Sequence, residues 1–294
     1  MSKRTIIFMT GATGYLGSNI LLQLVSCGYD VYCLKRKSSD LWRVQALSSE
    51  VTWIDSETVD FKALFLKHQI DIILHCATDY GRKKTDPIQT VEANLILPLE
   101  MLHAAVTAGV SYFINTDTVL DKRINNYSLS KQQFVEWLEA YSDRIIGMNV
   151  ALEHFYGPND DSSKFVTYIL QSLIEGVPEI QLTEGYQQRD FIYIDDVVNA
   201  FLRLVDLRGK LGTGFHRFEV ASGESIEIRK FILLAKKLCN NKNSHLNFGA
   251  IPYRKNEVMC SHVDTSGLRN LGWKAETSLE QGITKTISLE TKRL

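Results

Sequence analysis

Apolar positions in the first half of the chain follow two alternating periods. Short runs at Thr5–Met9, Asp30–Leu34, Val51–Ile54, Asp71–His75, Tyr112–Asn115 and Ile145–Ala151 read as strands. Between most of them the spacing becomes helical. Leu16, Ile20, Leu21, Leu24 and Val25 share one face, and residues 94–108 and 127–141 carry the clearest helical patterns. Strands and helices in alternation, joined by right-handed crossovers, build a doubly wound parallel sheet. From about residue 152 the alternation breaks, and loops such as Gly157-Pro158-Asn159-Asp160-Asp161 separate mixed pieces. The expected fold class is α/β, with the parallel sheet over residues 1–151 and a smaller C-terminal α/β domain over 152–190 and 206–294. Residues 191–205 read again as strand, turn and apolar helix and are expected to return to the first domain.

The link between the first strand and the first helix is Thr10-Gly11-Ala12-Thr13-Gly14-Tyr15-Leu16-Gly17. Each glycine answers a separate steric demand. Gly11 permits a tight turn, Gly14 lets the backbone approach a pyrophosphate, and Gly17 lets the helix pack on the strand. The phosphates then meet free amides at the positive end of the helix dipole. A glycine turn between strand and helix marks a Rossmann-type dinucleotide site, with cofactor contacts expected from Gly11, Thr13, Gly14, Tyr15, Leu16 and Gly17.

Composition narrows the setting. The 294 residues suit about two domains; 45% are hydrophobic and 23% charged, and the formal net charge is −1. That balance gives no reason to expect a nucleic-acid or membrane partner. Five cysteines without a CxxC pair read as reduced thiols, and seven histidines show no metal-ligand spacing, so no metal site is expected. Met1 runs almost directly into the first strand, no stretch reaches the length of a membrane span, and a cytoplasmic protein is expected.

Tyr127 and Lys131 stand four residues apart, on one face of the helix read over 127–141. A phenol titrates near pH 10 in water; a nearby ammonium and a cationic nicotinamide favour its phenolate, so it exchanges a proton near neutrality. Lys131 can also hold the nicotinamide ribose. On an exposed helix such a pair is common without any function; behind a dinucleotide turn it reads as catalytic.

With these segments in order, the chain resembles the extended short-chain dehydrogenase/reductase family, especially its nucleotide-sugar members. The resemblance runs through Thr10–Gly17, His75-Cys76-Ala77, Asn94, Thr116-Asp117-Thr118, Tyr127 with Lys131, Phe155-Tyr156-Gly157-Pro158, Arg189-Asp190-Phe191 and Leu271-Gly272-Trp273. It implies that a Ser or Thr ahead of the tyrosine bonds the substrate oxygen. Alignment without a gap from Phe113-Ile114 gives that role to Thr118; anchoring on Thr-Asp gives it to Thr116. Thr118 is taken as the catalytic partner of Tyr127 and Lys131, and Ala77 and Thr116 join the cofactor contacts. The resemblance also implies a homodimer, with helices 94–108 and 127–141 of two copies forming a four-helix bundle.

Departures from the family pattern narrow the chemistry. Dehydratases of the family carry Thr-Asp-Glu; here the third residue is Thr118, which argues against elimination. NAD-specific relatives place a carboxylate after the second strand, where this chain has Leu34-Lys35-Arg36-Lys37. Lys35 and Arg36 suit a 2′-phosphate, so NADP(H) is the expected cofactor, although a solvated basic loop would read the same. Tyr127 follows Thr118 by only nine positions, a shorter link than most members have, so the pocket is expected to be more open. Asn115–Thr118 with Tyr127–Lys131, Ala151–Pro158 and Tyr253–Glu257 resemble the CDP-abequose and CDP-paratose synthase branch. That branch reduces the C4 ketone of CDP-4-keto-3,6-dideoxyhexoses for O-antigen sugars, and a dTDP-linked substrate would use the same groups.

Arg189 and Arg254 fall where relatives hold the sugar-nucleotide pyrophosphate, with a surface ion pair as the other role for each. His154 replaces a family Asn that touches the sugar, or is structural. Asp55 accepts from the adenine amino group, or is a plain loop carboxylate. Asp195-Asp196 precedes an apolar helix and reads as its N-cap. The function expected is NADPH-dependent reduction of a nucleotide-linked deoxy-4-ketohexose. The alternatives are an NAD-dependent nucleotide-sugar 4-epimerase and a non-catalytic NADP-sensing protein, the second disfavoured by the retained Tyr-Lys pair.

Overall fold

A computed structural model of the chain describes residues 4–81, 86–207, 209–254 and 257–292. It divides into two compact units, Met1–Leu152 with Val198–Glu219, and Glu153–Val197 with Val220–Leu294.

The first unit is organised by a seven-stranded sheet of order β10-β6-β5-β4-β1-β2-β3. Its strands are β1 (Ile6–Thr10), β2 (Asp30–Lys35), β3 (Thr52–Asp55), β4 (Ile72–His75), β5 (Tyr112–Thr118), β6 (Ile146–Leu152) and β10 (Phe215–Val220). Pairing from β3 through to β6 is parallel. The crossover helices are α1 (Tyr15–Ser26), α2 (Phe61–His68), α3 (Pro87–Val91), α4 (Leu97–Ala108) and α5 (Asn126–Ala140). Strand order reverses between β1 and β4, and the crevice beyond the carboxyl ends of those two strands is where doubly wound folds take ligands.

Strands covered on both faces read as nearly unbroken apolar runs, and β1 and β4 do so. Phe8 and Phe65 meet edge-on at 5.1 Å and Phe113 and Phe134 pack in a tilted pair at 5.5 Å, in a cluster with Ile73, Met101 and Leu138. Burying each such side chain contributes about 1.5–3 kcal/mol.

Two elements differ from the sequence pattern. β5 continues three residues past Asn115, with Thr116, Asp117 and Thr118 paired to Val150, Ala151 and Leu152. The helix read over 94–108 begins earlier, where Asp86 accepts from the Ile88 amide and Pro87 opens α3, and it passes through a π-helical turn at Glu92–Ile96. Pro98 is accommodated in the first turn of α4.

The second unit carries a three-stranded sheet of order β11-β9-β7 and a two-stranded sheet of β12 with β8. The strands are β7 (His154–Tyr156), β8 (Glu179–Leu182), β9 (Gln188–Tyr193), β11 (Ser225–Glu227) and β12 (His245–Phe248). The remaining helices are α6 (Phe165–Ile174), α7 (Ile194–Asp206), α8 (Ile228–Leu238), α9 (Ser266–Asn270) and α10 (Leu279–Thr291). Within the stretch 191–205, residues up to Tyr193 pair in the three-stranded sheet, α7 follows with no intervening turn, and residues from Val198 group with the first unit. Because α7 begins at Ile194, Asp195 and Asp196 lie inside its first turn and not at its N-cap. The Asp196 carboxylate accepts instead from the amides of Glu276 and Thr277, both at 3.0 Å.

Candidate functional site

The glycine turn sits at the β1–β4 crevice. Gly11 adopts φ +70°, which favours glycine, and a Cβ there would lie 2.5 Å from the Ala77 amide nitrogen. A Cβ on Gly17 would come within 2.1 Å of the Gly11 carbonyl oxygen, so the helix packs against the turn itself. Gly14 is exposed, and its amide donates to the Gly11 carbonyl at 3.0 Å. Gly14 is the N-cap residue of α1, which has no side-chain cap and no acidic residue in its first turn. An anion placed there would meet the positive end of the helix dipole. Thr13 and Leu16 are half-buried and Tyr15 is buried along this turn.

A buried hydrogen-bond chain ties the turn to the next strand. Thr10 Oγ1 meets His75 Nδ1 at 2.8 Å and accepts from the Ala77 amide at 3.1 Å. The loop beyond is clamped by Asn94, in the π turn. Its side chain accepts from the Asp79 amide and donates to the Asp79 carbonyl, both at 2.8 Å, and donates to Ser130 at 3.1 Å. A π turn inside a helix often marks a functional position.

α5 carries the Tyr-Lys pair. Asn125 caps it by accepting from the Ser128 amide at 2.8 Å, with Ser128 bonding back to the cap, which fixes Tyr127 in the first turn. The Tyr127 ring packs on Tyr80 at 5.1 Å. Lys131, one turn on, is 2% exposed, and its Nζ donates to Thr78 Oγ1 at 3.5 Å. Burial pulls its pKa down to about 8, while Asp117 and Cys76 act to hold it up. Burial raises the Cys76 thiol to about 12 despite Lys131.

Asp117 was not assigned from the sequence. Asn115 donates to Asn149 Oδ1 at 2.7 Å, and Asn149 donates to Asp117 Oδ2 at 2.8 Å, all three residues being buried. These side chains lie on the face of β5 that also carries Phe113, against α5. Thr116 and Thr118 share the opposite face. Thr116 is buried; Thr118 is half-exposed, and its Oγ1 accepts from the Leu120 amide at 3.2 Å.

At the ends of β2 and β3, Lys35 stands in register with Asp55. Asp55 accepts from the Glu57 amide at 2.9 Å, closing its own turn, and Lys37 takes up Glu57 at 2.5 Å and Asp55 at 3.8 Å. Arg36 is exposed and, among the described residues, has no ion-pair partner.

In the second unit, His154 is exposed and its Nδ1 meets Glu153 Oε2 at 2.6 Å. Arg189 is largely buried rather than at the surface, pairing with Glu257 at 2.6 Å and donating to the Gln188 carbonyl at 2.8 Å. Arg254 is exposed. Lys255 and Asn256, part of the sequence segment quoted for the synthase branch, lie outside the described residues. All five cysteines are free, and no helix among the described residues is long and apolar enough to cross a membrane.

Strand order and the glycine turn at the switch point define a Rossmann-type α/β protein. Comparison with known proteins carries this further. The profile of the NAD dependent epimerase/dehydratase family matches residues 7–216, and the chain belongs to that family. It is 34% identical to the CDP-abequose synthase of Salmonella muenchen, over 97% of each chain. Its fold is similar to that of Thermotoga maritima UDP-glucose 4-epimerase with UDP-glucose, at TM-score 0.85 and 22% identity, covering 98% of this chain and 99% of that one. The Thermus thermophilus UDP-glucose 4-epimerase complex with NAD matches at TM-score 0.80 and 19% identity, over 97% and 98%.

Proposed function

We propose that this chain is a cytoplasmic NADPH-dependent reductase of the C4 ketone of a nucleotide-linked deoxyhexose. The substrate is CDP- or dTDP-linked and of the CDP-4-keto-3,6-dideoxyglucose type used for O-antigen sugars. The observation that carries the reading is the Tyr127–Lys131 pair, in which a buried ammonium stands one helical turn from a half-buried phenol. The 34% identity to a CDP-abequose synthase supports the substrate class.

The first unit fits a dinucleotide. The space that Cβ atoms would fill at Gly11 and Gly17, the exposed Gly14 and the uncapped start of α1 suit a pyrophosphate. Thr13, Tyr15, Leu16, Ala77 and Thr116 complete the cofactor contacts, with Asp55 toward the adenine. Lys35 and Arg36 favour a 2′-phosphate, since the nearby carboxylates of Asp55 and Glu57 are taken by Lys37. Bound NADPH supplies the hydride for C4. Tyr127 gives its proton to the C4 oxygen, and Lys131 favours the phenolate left behind while holding the nicotinamide ribose. Thr118 orients the ketone: its oxygen already accepts from a backbone amide, which leaves its hydroxyl proton to donate. Thr116 is the alternative. His154, Arg189 and Arg254 of the second unit bind the sugar nucleotide, Arg189 exchanging Glu257 for phosphate. Leu129 and Trp137 are exposed on α5 and Ile96 just before α4, which supports a homodimer through a four-helix bundle.

The test is to offer purified protein NADPH with a panel of CDP- and dTDP-4-ketosugars. Oxidation of NADPH with formation of a single C4 alcohol is expected. Protein that carries NAD through purification and interconverts C4 epimers without added cofactor would establish the epimerase instead.

A further inference from the structure

Glu153 lies just before β7 and its side chain is fully buried, yet it faces no lysine or arginine among the described residues. Its oxygens are instead met by three donors. Oε2 takes the backbone N–H of His154 at 3.0 Å and the His154 ring Nδ1 at 2.6 Å; Oε1 accepts the hydroxyl of Ser261. Neighbouring residues on a strand point to opposite faces, so a side chain that bonds the residue beside it is not a product of the pleat. The His154 side chain, by contrast, is 41% exposed. Phe191 packs against its ring at 6.0 Å and 65°. The other buried acid nearby, Asp190, is occupied by the amides of Ser222 at 2.8 Å and Gly223 at 2.7 Å and does not compete for the ring.

A buried carboxylate is costly unless its lone pairs are filled. Burial acts to raise the Glu153 pKa, but the hydrogen bonds from His154 and Ser261, with the attraction of the His154 ring in its protonated form, prevail and hold it below the usual carboxylate range. An ionised carboxylate has no proton to give, so the proton in the short contact belongs to Nδ1. A neutral ring committed in this way keeps its lone pair on Nε2.

We propose that Glu153, anchored by Ser261, is a positioning residue that locks His154 with Nδ1 inward and presents Nε2 as the acceptor for a hydroxyl of the substrate hexose. This rests on the reading of the substrate as a sugar nucleotide and adds what recognises its sugar. An asparagine at position 154 would offer an amide of either polarity; the locked imidazole offers an acceptor.

Histidine-selective 15N NMR of the whole protein tests the lock, with the His154 signals assigned by their loss in His154→Gln. The Nδ1–H tautomer is expected in the unmodified protein, with His154 Nε2 shifting on addition of CDP-glucose; Glu153→Gln should redistribute the tautomers. Glu153→Gln and Ser261→Ala should each raise the KM for the ketosugar about tenfold, the effect of one weakened hydrogen bond, with KM for NADPH unchanged and the melting temperature lowered, most in Ser261→Ala, which leaves a buried carboxylate oxygen unpaired. In a His154→Ala background, Glu153→Gln should add nothing. An Nε2–H tautomer, no response of His154 to CDP-glucose, an equal penalty with and without His154, or a parallel rise in both KM values would each overturn the proposal. If no ketosugar oxidises NADPH, the functional reading fails, while the tautomer and the CDP-glucose titration still decide this one.

Discussion

Replacing Lys131 with methionine should stabilise the protein at neutral pH while abolishing turnover. The folded chain holds this ammonium at a pKa of about 8 against an ordinary 10.5, burial being the largest cause. Below pH 8 the lysine is charged in both folded and unfolded states, and the cost of burying that charge is present in full. Above 10.5 it is neutral in both, and the cost vanishes. Between those limits the unfolded chain binds more protons, so wild-type stability rises with pH. At 1.36 kcal/mol per pH unit the gap corresponds to ~3 kcal/mol. Methionine fills a similar volume without the charge, but it strands Asp117 without its neighbouring cation. That attraction is already contained in the shift, so the net gain stays at about 2–3 kcal/mol.

Urea unfolding at pH 7 and pH 10, followed by circular dichroism, measures this directly. The variant should be more stable than wild type at pH 7, and the difference should shrink to under about 1 kcal/mol at pH 10, because only wild type carries the titrating lysine. Groups common to both proteins cancel in the comparison. A variant less stable than wild type at pH 7, or a difference independent of pH, would show that Lys131 is not a strained buried cation.

Tyr127→Phe should lower kcat by about 10²–10⁴-fold, the range for loss of a positioned acid, with little change in NADPH affinity by equilibrium titration. Thr118→Val should reduce kcat more than Thr116→Val does; the reverse order would move the carbonyl contact to Thr116. Gly17→Ala drives a methyl to 2.1 Å from the Gly11 carbonyl, so it should destabilise by about 1–3 kcal/mol and weaken NADPH binding. Gly28→Ala, at φ +80° with open space around it, should cost stability alone. Arg36→Glu should raise the Kd for NADPH about tenfold or more, leave NADH binding intact and flatten the salt dependence of NADPH affinity.

What the sequence made legible was local. The strands, the glycine turn and the Tyr-Lys face are each set by spacing within a few residues. The polar support of the site is not local in that sense. Asn115, Asp117 and Asn149 meet across β5 and β6, and Asn149 stands in the apolar run Met148–Val150. A polar side chain in a strand buried on both faces announces that it has a partner without saying which. The same pairing explains why β5 runs on through a segment that reads as polar loop. Glu153 gave no signal beside His154, because its other partner, Ser261, lies far along the chain. Asp196 was misplaced for a related reason: an acidic residue at a helix start suggests a cap, whereas its bonds reach across to Glu276 and Thr277.

The cost of the site is concentrated where the crevice opens. Thr10, His75, Asp117 and Lys131 are buried polar or charged residues at the carboxyl ends of β1, β4 and β5 or on the helix packed against them, while the sheet around Phe8, Ile73 and Phe113 is apolar. Replacing buried charges with well-packed apolar groups is often neutral or stabilising, so folding alone gives little reason to keep them. Their arrangement favours a single cation. His75 is fully buried, its pKa held well down by burial first and by Lys131 second, so its ring stays neutral. Its Nε2 has no hydrogen-bond partner, which is cheaper for a lone pair than for a proton; that assigns its proton to Nδ1, donated to Thr10. Thr10 then accepts from both His75 and Ala77 and holds the loop against the glycine turn. A second positive charge at His75 would push Lys131 toward its neutral form. The neutral imidazole therefore protects the one ammonium to which the proposed acid role of Tyr127 is tied.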